Sequence, residues 1–176
     1  NPCRIDAASY IYFGHLIDGE QLYGQRDPND PAIPADPIQA ALDGYINPGA
    51  AVAIDAVRQA VINAPANAAG IRQAFEVLDS DIVTGDYFPG SETIFYRLRE
   101  GIERFLITDI NNPAASAEAQ SELSFMFDYV TLNTNRFNHI PGGANVLYLD
   151  GHVEFVRYPG EWPASRVGAV ISTQFS

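Results

Sequence analysis

Lysine is missing altogether from these 176 residues; all ten cations are arginine. Schiff-base chemistry and the lysine of a phosphate-binding loop are thereby removed from the repertoire. Cysteine occurs once, at Cys3, so the segment can form neither an internal disulfide nor a thiolate zinc site. Positive charge is scarce. Ten arginines face 22 acidic residues, for a formal charge of −12 at pH 7. Phosphate backbones and anionic membrane surfaces repel such a chain, which excludes nucleic-acid binding as a function class. No run approaches the roughly 20 apolar residues that a membrane span needs. Disorder is excluded by the opposite shortage: only 18% of the residues are charged, while 47% are apolar and 11% aromatic. The length suits one globular domain over 1–176. Because the chain opens at Asn1 rather than Met, inside what reads as a loop before a strand, a segment upstream is expected to have been removed or left out.

The pattern along the chain predicts an α+β fold. Residues 9–17 are aromatic and β-branched, as a strand requires. Prolines at 28, 31, 34 and 37 turn the stretch 18–47 into a surface loop that ends in a short helix. A helical insertion is expected at about 36–80. Its helices at 50–64 and 66–78, split by Pro65, carry Ile54, Val57, Val61 and then Ile71, Phe75, Leu78 at helical spacing. Arg58, Gln59, Arg72, Gln73 and Glu76 fall to solvent in this reading, and the pair packs on the sheet. Residues 91–112 mix signals, with Ile94, Leu98, Ile102 and Phe105 helically spaced and 105–108 strand-like. An Ala-rich helix at 113–120 and a strand at 122–130 follow. The strongest element is a hairpin at 145–158, where two alternating runs flank Asp150-Gly151, residues that both tolerate positive φ. The apolar run 167–171 reads as a short edge strand.

Few residues suggest chemistry. His139 and His152 with Asp150 have the right groups for a metal site or a catalytic pair, but Asp150 belongs to a turn and His152 to the returning strand. No G-x-S-x-G elbow accompanies the serines. Glu100 and Glu103 alternate with arginines as a solvated surface does. Asp27-Pro28-Asn29-Asp30 offers oxygen donors without the glycine and terminal glutamate of a calcium loop. The one cofactor class that the acidity favours is a hard cation such as calcium, with Asp128 and Asp150 as candidate ligands. No catalytic residue is assigned, and the domain is expected not to be an enzyme. The tyrosine-rich loop from Tyr23 to Tyr45 suggests an alternative: a secreted or surface module binding a cation, a glycan or a partner protein.

The segment 137–153, FNHIPGGANVLYLDGHV, resembles a signature of bacterial prepilin-type proteins, abundant in planctomycetes, written HxGGxNxLxxDGxV with nine residues between His and Asp-Gly. Here ten residues separate His139 from Asp150, the extra one falling at Ile140-Pro141. SYIYFG near the start and REGIERFLITDINNPAASAEAQS in the middle are similar to further blocks of the same group. The resemblance implies a pilin-like architecture: a long apolar N-terminal helix, absent from this chain, ahead of a globular antiparallel sheet with a C-terminal β-hairpin. It also implies a non-catalytic assembly subunit of the cell envelope or an extracellular filament, partnered by like subunits or other pseudopilins and touching membrane only through that missing helix. In this reading His139, Gly142, Gly143, Asn145, Asp150 and Gly151 form a structural motif. Some secretion pseudopilins hold calcium in their C-terminal loops, which bears on Asp150.

Overall fold

A computed structural model describes residues 10–86, 89–90, 93–100, 102, 120–137, 139 and 142–175. The fold is α+β. Its centre is a four-stranded antiparallel sheet in the order β1-β4-β5-β6, with β1 Tyr10–Ile11, β4 Ser124–Asp128, β5 Gly143–Tyr148 and β6 Val153–Arg157. β2 Ile82–Val83 and β3 Ile94–Phe95 form a separate antiparallel pair. The helices described over their whole length are α1 Gly19–Leu22, α2 Pro37–Leu42, α3 Pro48–Ile62, α4 Ala68–Leu78 and α5 Arg166–Ser172.

The C-terminal hairpin pairs Gly143 with Arg157 and Leu147 with Val153. Its turn is one residue longer than the expected two-residue Asp-Gly type. The Gly151 amide donates to the Tyr148 carbonyl and the Tyr148 amide to the His152 carbonyl, leaving Leu149, Asp150 and Gly151 as the loop. Gly151 alone takes a positive φ, 92°. A three-residue loop of this kind asks for a left-handed residue only at its last position, so glycine is required there and Asp150 keeps ordinary geometry.

The core has two main parts, and α5 lies between them. Val167, Val170 and Ile171 pack into a helical cluster with Leu22, Ile46, Ile54 and Phe95. Ala169 joins a cluster on the sheet with Phe127, Val130, Ala144 and Val146. This segment was expected as an edge strand. It is helical because Ser165 caps it, accepting from the Gly168 amide, and because burial on every side suits a continuous apolar run as well in a helix as in a strand.

Other expectations are corrected in the same way. The first strand shrinks to Tyr10–Ile11, since Gly14 turns the chain at φ 70° and only an isolated bridge, His15 to Arg97, follows. The stretch 18–47 ends in the expected short helix, α2, but it is not all surface: Leu22, Ile33, Tyr45 and Ile46 are buried. Asp18 builds a capping box that starts α1, and Asp36 with Pro37 starts α2. Tyr45 is buried, its hydroxyl donating to Asp30, so it is withdrawn from the contact surface that the binding-module reading needs. Ile94 and Phe95 are strand. α4 does not cover the sheet; it lies along α3 and leaves Ile71, Phe75 and Leu78 exposed. The expected strand 105–108 and nearly all of the Ala-rich segment 113–120 lie outside the described residues, as does Cys3. Among the described residues no helix is long and apolar enough to cross a membrane.

Candidate functional site

Asp128 ends β4 on the face of the sheet opposite Phe127 and is only 2% exposed. A carboxylate buried this far must be satisfied by donors. One step beyond the Phe127–Val146 pair, its Oδ2 accepts from the Asn145 amide at 2.8 Å and from the Asn145 side chain at 2.9 Å. His139 Nε2 completes the set at 3.0 Å from Oδ2 and lies 2.9 Å from Asn145 Nδ2. The His139 ring meets the Phe155 ring edge-on and is about half-exposed. The structure thus gathers two residues of the C-terminal motif, His139 and Asn145, around Asp128, which sequence spacing had offered only as a cation ligand.

Gly143 explains another part of the motif. It sits in β5 at φ 156°, and a Cβ there would run into the Phe155 ring and the Val156 carbonyl. Gly142, at φ 133°, precedes it. The glycine pair lets β5 pass close under β6 directly beside the His139–Asp128 pair.

Asp150 and His152 make a second, separate group at the hairpin tip. Asp150 Oδ1 accepts from the His152 amide at 3.0 Å and meets His152 Nδ1 at 2.6 Å. The amide bond, followed by the bond to the ring, holds the Asp150 carboxyl below its usual range. The His152 ring stacks flat on Tyr148 at 4.4 Å. Asp128 and Asp150 therefore face different partners. No cluster of three or more His, Cys, Asp or Glu side chains suited to a metal exists among the described residues. The oxygen-rich segment at Asp27 to Asp30 is also engaged: Asp27 and Asp30 accept from the amides of Asn29 and Ala32, while Asn29 donates to the Gly160 carbonyl and accepts from the Arg166 amide.

A concavity lies elsewhere, outside every residue singled out for chemistry. It is a trough of about 490 Å³ between the segment 10–17 and α3. Its walls are apolar, with Ile11, Phe13, Ile54, Val57, Ile82 and Phe95 among them. Tyr10, Tyr12 and Gln174 add polar groups to the lining, and three more residues matter for its chemistry. His15 is buried, with Nδ1 3.0 Å from the Phe13 carbonyl and Nε2 2.9 Å from the Ser80 carbonyl. A neutral ring makes one of those bonds and an imidazolium both. Tyr129 is 4% exposed, and its hydroxyl is buried with no hydrogen-bond partner. Arg58, expected in solvent, lies in the lining because it follows Ile54 and precedes Ile62 by one helical turn each. That periodic placement of a cation on an apolar face was the sequence signal for the trough.

Comparison with known proteins finds no family model, no curated protein and no solved structure that matches this chain.

Proposed function

We propose that this domain is a non-catalytic assembly subunit of the pseudopilin-like kind that its C-terminal motif resembles. It works in the cell envelope or outside the cell, joined to like subunits in a filament or bundle and held by an apolar helix upstream of the globular part. The observation that carries the reading is the apolar stripe on α4. Ile71, Phe75 and Leu78 recur at i, i+4 and i+7, with Phe75 64% exposed, and Ile62 at the end of α3 is also exposed. A helix whose apolar face points at water loses the free energy of burial until another surface covers it. Like subunits can supply that cover, because Ile71 and Phe75 are more than half exposed in the single domain.

The polar groups support the same reading. His139 and Asp128 are engaged with Asn145, His152 with Asp150, and the two sets sit apart along the sheet and its hairpin tip. Neither set lines the trough. An enzyme concentrates such groups in a concave pocket.

Light scattering after gel filtration tests the proposal. The wild-type domain is expected to grow in mass with concentration, and the double substitution Ile71→Asp, Phe75→Asp to stay monomeric with an unchanged thermal midpoint. A wild-type domain that remains monomeric over the whole concentration range refutes assembly through this stripe.

A further inference from the structure

We infer that the trough between the segment 10–17 and α3 is a binding site for a single-chain amphiphile with an anionic head, of which a fatty acid is the simplest example. Three independent observations converge on that ligand class. The first is size and lining: about 490 Å³, walled by aliphatic and aromatic side chains, falls within the roughly 300–1,000 Å³ of small-molecule sites. Water along its aliphatic and aromatic walls lacks partners, and an alkyl chain does not need them.

The second is the Tyr129 hydroxyl. A buried hydroxyl without a partner is costly, and a ligand oxygen beside it would remove the cost. The third is charge. In a chain with more than twice as many acids as bases, the described residues that line the trough include no carboxylate. Its permanent charge is Arg58, whose Nε is buried without a hydrogen bond and whose ion pair with Asp55 is loose at 3.5 Å. His15 is the other lining group able to carry positive charge. A carboxylate or phosphate head at Arg58, with the chain along Val57, Ile54 and Phe95, matches the lining and the charge, and a head-group oxygen that reaches the Tyr129 hydroxyl would satisfy the second observation. The overall charge of −12 acts against any anion at long range, but screening at physiological salt confines that repulsion to about 8 Å, so the local cation decides.

Calorimetric titration of the full chain with dodecanoate, dodecyl phosphate and dodecyltrimethylammonium, each below its aggregation concentration, tests the inference. One anionic amphiphile is expected to bind per chain, the tighter of the two naming the head group, with the ammonium compound at least tenfold weaker. Arg58→Gln is expected to weaken the anion at least tenfold and Tyr129→Phe severalfold, the thermal midpoint of the free protein holding steady. Ile82→Trp, which fills the trough, is expected to abolish binding. A chain-length series gives the same discrimination without any substitution: affinity rises by up to about fourfold per methylene and levels off once the trough is full. Binding no tighter than about 1 mM, a preference for the cationic amphiphile, an unchanged affinity in Arg58→Gln, or a rise with chain length that never levels off would each overturn it. Leu78 and Ile62 border both surfaces, whereas Ile71 and Phe75 lie outside the trough lining, so the α4 double substitution is expected to leave this binding intact and the two readings fail or succeed separately.

Discussion

Replacing Asp128 by alanine isolates what holds the C-terminal motif to the sheet. The substitution removes one oxygen that accepts from the Asn145 amide, the Asn145 side chain and His139. An orphaned buried donor costs about 1–3 kcal/mol, and the substitution orphans both the amide and the side chain of Asn145. Asp128 is fully buried, but the His139 side chain is 47% exposed and regains water once its partner is gone. The lower part of the combined range therefore applies, about 3 kcal/mol. For a domain of this size that corresponds to a fall of roughly 6–12 °C in the melting midpoint. Asp128→Asn keeps one acceptor and is expected to lose about half as much. His139→Ala leaves the Asn145 bonds to Asp128 in place and removes only a partly solvated pair, worth about 1 kcal/mol. Thermal and urea melts followed by circular dichroism measure all three, and a double-mutant cycle gives the coupling of His139 to Asp128 as about 0.5–1 kcal/mol. If Asp128→Ala melts within about 2 °C of wild type, or if His139→Ala costs as much as Asp128→Ala, the carboxylate is not the anchor of this cluster.

Two further outcomes follow from the geometry. The Asp150 carboxyl, through the amide of His152, and the Asp30 carboxyl, through the amide of Ala32 and then the Tyr45 hydroxyl, lie below the usual 3.8 in the folded state. Near and below that value the unfolded chain binds more protons, so stability rises with pH through the window. The contribution is complete above the unfolded value and fades as acid carries the pH down through the folded one. Midpoints of Asp150→Asn and Asp30→Asn should lie below wild type near neutrality and converge on it in strong acid; a gap independent of pH refutes the assignment. The hairpin glycines are expected to differ. Gly143→Ala meets both an unfavourable φ and the Phe155–Val156 wall, whereas Gly151→Ala meets open space and only the φ. Strain alone costs about 1–3 kcal/mol, so comparative melts should rank Gly143→Ala clearly below Gly151→Ala, and the reverse order contradicts the close packing at Gly143.

The hairpin, the two insertion helices and the strand β4 were legible because each follows a local rule: alternation about an Asp-Gly turn, helical spacing broken at Pro65, alternation again. α5 was not, since a run of β-branched residues buried on all sides has no period to read; its one local signal was the Ser165 cap. The same holds for α1, announced only by the box formed by Asp18 and Gln21. The meeting of Asp128 with His139 and Asn145 depends on the β4–β5 register, which brings residues 17 apart in sequence together, and no local pattern encodes a register. The exposure of α4 was misread because helical spacing tells which residues share a face and not whether anything covers that face.

The clasp between the early loop and α5 bears on biosynthesis. Asn29 bonds both the Gly160 carbonyl and the Arg166 amide, and the Pro28 carbonyl accepts from the Val167 amide, while Val167, Val170 and Ile171 fill the middle of the helical cluster. A nascent chain that has not yet released Arg166–Ser172 from the ribosome consequently has an open interior, and whatever escorts it must shield Leu22, Ile46 and Phe95 from other unfolded chains until that helix arrives.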